Sequence, residues 1–508
     1  MQQGSMTGDT EQGAPAIRPQ ASTVAGEVPL CVDLDGTLAR TDLLHEAAVR
    51  YIKQSPFALF HLLIWLLHGK AYLKQRLAER VVLRGDLLPY RADLVEFLRD
   101  ERARGREIHL VTASPQAWAD MVAAHLGLFD GATGSGTENY KGRRKASLLV
   151  ERHGEGGYDY IGDHAADFPI WLTARTAHFA GRRGRIHSAR VKGATVGQHF
   201  DVGERSRLRG LVKAARPHQW SKNLLLFVSI TAAHQLFDFA ALGRVVLAFV
   251  SFSLMASATY MINDMLDLDT DRAHPRKSRR PFASGAVGIA DGIVAIALLS
   301  GIAIGIAVVL GAPFVVSLGV YVATTLAYSF RLKRAALVDV ITLAGLYTLR
   351  IVAGTIAAAI PISSWLLAFA MFCFITLAIA KRCAELTGTQ VSLDNKIAGR
   401  GYYGADIEVL AGMGSASTFC ASLVLCIYTT QPYVATRYAS PEILWLLCPI
   451  LIYLLSRILI LARRGHMDDD PIVFCVKDKI TLKLVGISAL VLVAAAYIHL
   501  PLKLIADV

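Results

Sequence analysis

The chain has 508 residues, 53% of them hydrophobic, and a mean hydropathy of +0.41. It is too apolar for an ordinary soluble protein and too long for one domain. Lys and Arg outnumber Asp and Glu by 53 to 41, a net charge of +12, which suits the basic loops of a membrane protein; nucleic-acid binding is set aside because no basic-aromatic surface pattern appears.

Residues 1–27 are rich in Gln, Gly, Ala, Pro, Ser and Thr and hold no aromatic residue. A disordered tail is expected there, not a secretion signal. The seven cysteines are scattered without a CxxC pair and read as reduced core residues.

Up to about residue 205 the chain reads like a soluble protein. In "VPLCVDLDGTLARTD" (28–42) an apolar strand ends at Asp33 and a Gly turn follows. "REIHLVTASP" (106–115) is a strand ending at Thr112, "ENYKGRRKASLL" (138–149) supplies Lys141 with Lys145 as the alternative, and "YDYIGDHAADFPIW" (158–171) is a strand ending in Asp163 and Asp167. Four such motifs in this order resemble the haloacid dehalogenase superfamily. The resemblance implies a Rossmann-like α/β domain over 28–180, with a helical cap at about 44–100. It implies Asp33 as the nucleophile that forms an aspartyl-phosphate and Asp35 as acid and then base. Thr112 and Lys141 would hold the phosphate, and Asp33, Asp35, Asp163 and Asp167 would bind Mg2+.

Within the cap, "PFALFHLLIWLLHGKAYLKQRLAERV" (56–81) carries an apolar run too short to span a membrane. It reads first as a buried cap helix, and second as a membrane-facing surface that admits a lipid-linked substrate. Residues 181–208 are basic and Gly-rich and are expected to be a linker on anionic headgroups.

From 209 to 508 the chain is dominated by apolar segments. Nine spans are expected, near 223–240, 243–262, 287–309, 313–330, 336–357, 363–380, 407–430, 441–462 and 481–499; the first is the weakest, since "HQLFDF" interrupts it. Basic residues gather before the first span and after the second, fourth, sixth and eighth. The positive-inside rule then puts the N-terminal domain and these loops in the cytoplasm, with the C-terminus outside an inner membrane.

"NDMLDLDTD" (263–271) closes the second span. If the helix continues, Asp264, Asp267 and Asp271 stand at i, i+3 and i+7 on one face, and Asp269 points away. Three such carboxylates raise one another's pKa unless a cation neutralises them, and carboxylate oxygens suit Mg2+ with substrate phosphates. The bases that follow, from Arg272 to Arg280, suit phosphate oxygens.

This NDxxDxxxD pattern resembles the UbiA superfamily of intramembrane transferases. It implies an all-α, nine-helix transmembrane bundle whose motif, Asn263 included, binds Mg2+ and a diphosphate. "AIAKRCAELTGTQVSLDNKIAGRGYYG" lacks the second Asp-rich motif of the aromatic prenyltransferases. "RPHQWSKN" (216–223), "DRAHPRKSRRPFASG" (271–285), "YSFRLKRAALVDV" (328–340), "LRIVAG" (349–354) and "AKRCAEL" (380–386) resemble the decaprenyl-phosphate 5-phosphoribosyltransferase branch. That branch implies phosphoribosyl pyrophosphate as donor and a polyprenyl phosphate as acceptor. Lys222, Arg272, Lys277, Arg280, Lys333, Arg350, Lys381 and Arg382 are the candidate anion holders, each also readable as a headgroup anchor. Asp339 and Arg350 are intramembrane charges, costly and so usually functional. Asp468–Asp470 and Asp478 read as a solvated acidic loop, or else as a lid or ribose contact.

The two halves suggest consecutive chemistry: phosphoribosyl transfer, then removal of the 5-phosphate to leave polyprenylphosphoryl-ribose. The alternative is a prenyltransferase acting on an aromatic or lipid acceptor, with the soluble domain acting elsewhere or only regulating. Membrane lipids are expected partners, and homo-oligomerisation is left open.

Overall fold

The computed structural model describes residues 27–54, 57–136, 140–181, 183–201, 204–388, 401–435, 438–467 and 471–499. Residues 1–26 of the expected disordered tail and the Asp468–Asp470 cluster lie outside the described residues. Two compact units emerge: Met1–Ala48 with Phe60–Glu204, and Val49–Leu59 with Arg205–Val508.

In the first unit six strands pair in parallel, in the order β3-β2-β1-β4-β5-β6. They are β1 (Leu30–Val32), β2 (Ile108–Pro115), β3 (Gly131–Ser135), β4 (Asp159–Gly162), β5 (Thr176–Gly181) and β6 (Val196–Asp201). Leu30, Cys31 and Val32 are fully buried, as a central strand covered on both faces requires. Val32 pairs with Leu110 on one side and Ile161 on the other. The three motif-bearing strands therefore lie side by side, and the strand order reverses beside β1, where open α/β sheets place their ligands.

Residues 183–201, read from the sequence as part of a linker, form the helix Arg183–Val191 and strand β6. The short pattern of β6 was masked by the basic residues around it. The helix Ala58–Leu67 corrects the buried-helix expectation: of its residues only Ala58 is buried. Its sequence is apolar nearly all round, so composition could not reveal which face, if any, is covered.

In the second unit eight helices among the described residues are long and apolar enough to cross a membrane: Phe239–Leu266, Ile289–Leu310, Ala312–Phe330, Val338–Ala358, Ser364–Gly388, Asp406–Thr429, Pro441–Arg463 and Lys479–Tyr497. The first expected span, 223–240, is not among them. There the chain forms a 3₁₀ helix, Pro217–Phe227, and one short helix, Val228–Ala232. Three residues per turn stack Trp220, Asn223 and Leu226 on one face. Trp220 Nε1 donates to Ser257 Oγ and Asn223 Nδ2 to Ser253 Oγ, each at 3.0 Å; these serines stand four residues apart on helix Phe239–Leu266. Leu226 presses on helix Val338–Ala358 where Gly354 leaves room: a Cβ at Gly354 would lie 2.0 Å from the Leu226 carbonyl oxygen. Small residues permit such close approach in membranes.

Gly354→Ala is expected to lower the thermal unfolding midpoint of the detergent-solubilised protein, at a cost of about 1–3 kcal/mol for overpacking against backbone. An unchanged midpoint would show that the 3₁₀ segment does not depend on this contact.

Candidate functional sites

In the first unit the parallel ladder sets the position of Asp33: its amide donates to the Ile161 carbonyl at 3.0 Å. The turn after it requires Gly36, with φ +77° and a would-be Cβ 2.6 Å from Asp163 Oδ2. Arg91 ties that turn down, donating to the Thr37 carbonyl at 2.7 Å and the Gly36 carbonyl at 2.9 Å.

Lys145 is buried, and its Nζ donates to Asp33 Oδ1 at 2.7 Å, to the Val111 carbonyl at 3.0 Å and to Tyr160 at 3.0 Å. Lys141 is exposed in the loop ahead of the helix. The lysine beside Asp33 is thus Lys145. Helix Arg143–His153 turns Lys145, Ala146 and Leu149 inward together, a phase that the helical period could have indicated.

Asp35 accepts from the Leu43 amide at 2.8 Å, Ser114 Oγ at 2.6 Å and Thr112 Oγ1 at 3.4 Å. Burial, with the Asp42 charge adding to it, pushes its carboxyl up to about 6. That value suits an acid-base group working near neutrality. Ser114 was not singled out from the sequence, although it shares a strand face with Thr112 two residues earlier.

Asp33, Asp163 and Asp167 each offer an oxygen, and the three lie within 4.8 Å of one another. Burial pushes Asp163 up to about 8 and Asp167 up to about 6, and the Asp33 charge adds to both. Carboxylates crowded in this way take up protons or a cation, and the donor set fits Mg2+. Asp35, expected as a fourth ligand, lies outside this group, its carboxylate bonded instead to Thr112, Ser114 and the Leu43 amide.

In the second unit helix Phe239–Leu266 passes with a slight break into Leu268–Arg272. The Asp267 amide donates to Asn263 at 3.0 Å and the Asp271 amide to Asp267 at 2.8 Å. The helical repeat therefore carries through the motif. Arg280 joins two of its carboxylates, donating from one nitrogen to Asp271 Oδ2 at 2.6 Å and to Asp264 Oδ1 at 3.1 Å. Arg216 donates to both Asp264 oxygens at 2.6 and 2.9 Å. Lys333 and Lys53 stand 3.5 and 3.4 Å from Asp267. Asp269 faces elsewhere and pairs with Arg50, as the helical phase predicts. Arg216 adopts a left-handed backbone, φ +50°, just before Pro217, and nothing in the motif spacing marked it as part of this cluster.

The remaining candidates divide. Arg272 Nε donates to the Ala283 carbonyl at 2.9 Å and so braces the loop. Lys222 is buried, Lys277 exposed, and Asn263 and Lys381 half-buried. Arg350 donates to Asn223 Oδ1 at 2.9 Å and lies over the Tyr321 ring at 5.0 Å. Asp339 pairs with Arg382, at 2.6 Å, and accepts from Tyr402. Arg382 also pairs with Glu385 and donates to Tyr328 at 2.9 Å.

The model of the UbiA prenyltransferase family matches residues 224–484, and that of haloacid dehalogenase-like hydrolases matches residues 30–171. The protein y4nM of Sinorhizobium fredii is 39% identical over 89% of this chain and 88% of its own. Nodulation protein NoeC of Azorhizobium caulinodans is 34% identical over 56% of this chain and 92% of its own. Decaprenyl-phosphate phosphoribosyltransferase of Mycolicibacterium smegmatis is 40% identical over 183 residues, which are 35% of this chain and 57% of that relative. A UbiA homologue from Archaeoglobus fulgidus, solved with DMAPP and Mg2+, aligns with 56% of this chain and 97% of its own at TM-score 0.42 and 17% identity.

Replacing Lys145 by Met is expected to lower hydrolysis of a chromogenic phosphomonoester by about 100-fold, the usual scale for removing a charge-stabilising group. Lys141→Met is expected to cost far less. Equal losses would remove the distinction between the two lysines.

Proposed function

The chain belongs to the UbiA prenyltransferase family and carries a haloacid dehalogenase-like hydrolase domain ahead of it, and we propose that it moves 5-phosphoribose from phosphoribosyl pyrophosphate to a polyprenyl phosphate and then removes the 5-phosphate. One observation carries the first step: Arg216, Arg280 and Lys333, from three separate segments, converge on Asp264, Asp267 and Asp271. Such a site offers cations to polyanionic substrates and carboxylates to a divalent ion. The relatives named decaprenyl-phosphate phosphoribosyltransferase support the choice of substrates.

The lipid phosphate is already an anion, so its attack on ribose C1 needs no strong base. Pyrophosphate leaves as the C1–O bond breaks. Mg2+, when bound by Asp264, Asp267 and Asp271, would neutralise charge on that leaving group. Arg216, Arg280 and Lys333 serve as donors to phosphate oxygens.

In the second step Asp33 attacks the 5-phosphorus and the ribose oxygen leaves, taking a proton from Asp35. Asp35 then draws a proton from water, which attacks the aspartyl-phosphate and releases phosphate. Lys145 and Thr112 hold the phosphate oxygens, and Asp33, Asp163 and Asp167 are the residues that would hold Mg2+.

The membrane topology belongs to the same reading. Eleven residues of 3₁₀ helix and five of α-helix rise roughly 30 Å, the thickness of a bilayer core. Pro217–Ala232 then supplies a ninth crossing, with the basic loops in the cytoplasm and the C-terminus outside.

In lipid nanodiscs the full chain is expected to transfer ribose label from phosphoribosyl pyrophosphate to decaprenyl phosphate. Asp264→Ala, or chelation of divalent ions, should lower that transfer by at least about 100-fold. Failure with this pair, together with turnover of a prenyl diphosphate and an aromatic acceptor, would replace the reading by prenyl transfer.

A further inference from the structure

The helix Ala58–Leu67 is ten residues long, about 15 Å, half of what a bilayer core requires. Phe60, Leu63, Leu66 and Leu67 are 65%, 57%, 46% and 87% exposed. At 100° per residue these four fall within about 120° of arc, so they form one continuous apolar face. Isolated exposed apolar residues are ordinary, but four large ones on one face are not.

The opposite side of the helix, where His61 and Trp65 fall at 100° per residue, is half-buried. Trp65 stacks on His61 with ring centroids 5.9 Å apart, and the Arg80 guanidinium lies 5.0 Å over the Trp65 ring. In the next helix, Lys70–Arg80, the Arg76 guanidinium lies 5.0 Å over the Tyr72 ring. Lys70 and Arg80 are exposed. An uncovered apolar face on one side, with exposed basic residues in the helix that follows, is the chemistry of an interfacial helix on anionic phospholipid. The same chain carries eight membrane-length helices, so a bilayer is the surface this unit is tethered to.

The helix Lys70–Arg80 also reaches the phosphatase motifs. Leu73 and Leu77 are buried, and Lys74 Nζ donates to the Ala113 carbonyl at 2.7 Å. Ala113 lies between Thr112 and Ser114, whose hydroxyls both donate to Asp35.

We infer that the apolar face of Ala58–Leu67 seats in the membrane interface, holding the hydrolase site at the lipid surface, and that the substrate of this site is the phosphomonoester head of a membrane-anchored lipid. The second half of this inference rests on the phosphatase reading above; the first half does not.

The test uses the full chain in vesicles of phosphatidylcholine and phosphatidylglycerol. A photoreactive benzoylphenylalanine replaces Leu63, or, as control, Glu151, which is exposed on helix Arg143–His153. Irradiation is expected to give phospholipid adducts at position 63 and not at 151. Adducts to protein at 63, or lipid adducts no more frequent than at 151, would overturn the membrane seat. Leu63→Glu with Leu67→Glu is then compared with the unaltered protein on p-nitrophenyl phosphate and on decaprenylphosphoryl-5-phosphoribose. The variant is expected to keep the soluble activity and lose about tenfold or more on the lipid. An unchanged ratio would overturn the lipid-substrate claim. Absence of both activities from the unaltered protein would sink the phosphatase reading while leaving the adduct result standing.

Discussion

A carboxylate taken out of water must be matched by a cation or surrender its charge. Asp264 and Asp271 are buried at the end of an apolar helix, and Arg280 and Arg216 meet that demand. The cost is visible in the backbone: a left-handed Arg216 stores about 1 kcal/mol or more, held by two hydrogen bonds to Asp264. Arg280, by bridging Asp264 and Asp271, fixes the return of the loop that Arg272 braces from its other side. The same rule shapes the first unit, where Lys145 is buried against Asp33 and Asp163 and Asp167 are left crowding one another.

Pairing of this kind is a poor source of stability, because desolvation consumes most of the Coulomb attraction. Its persistence in both units is better understood as preorganisation. On the proposed reading, groups that would meet phosphate oxygens are already oriented, and their reorganisation is not charged to the reaction. The buried Arg382–Asp339 pair, with Tyr402 and Tyr328 around it, extends the principle to helices Val338–Ala358 and Ser364–Gly388.

Much of this was legible in the sequence. Strand ends at Asp33 and Asp163 follow from short apolar runs that stop at polar residues, and the sheet places them together; the strand expected to end at Thr112 instead runs on to Pro115. The shared facing of Asp264 and Asp271, which Arg280 bridges, follows from the helical period, whereas Asp267 meets Lys333 and Lys53. Other features were not legible, each for a definite reason. The first expected span is weak because "HQLFDF" interrupts it, and a count of apolar residues does not register the three-residue period of Pro217–Phe227. Lys145 lies on helix Arg143–His153 and Lys141 in the loop ahead of it, a difference that depends on where the helix begins. Arg216 acts through a backbone conformation that no pattern of residue types announces. A ten-residue helix apolar but for His61 has no polar face to show whether it is covered. Arg350 was readable as a costly intramembrane charge, but its partner Asn223 comes from a segment 127 residues away.

The central claim is that two chemistries act in order on one lipid. The most direct measurement is a time course of lipid-linked products from labelled phosphoribosyl pyrophosphate, polyprenyl phosphate and Mg2+, run with the unaltered chain and with Asp33→Asn. The account predicts that Asp33→Asn accumulates lipid-linked phosphoribose, while the unaltered chain passes through it to lipid-linked ribose and free phosphate. Identical products from both proteins would contradict it.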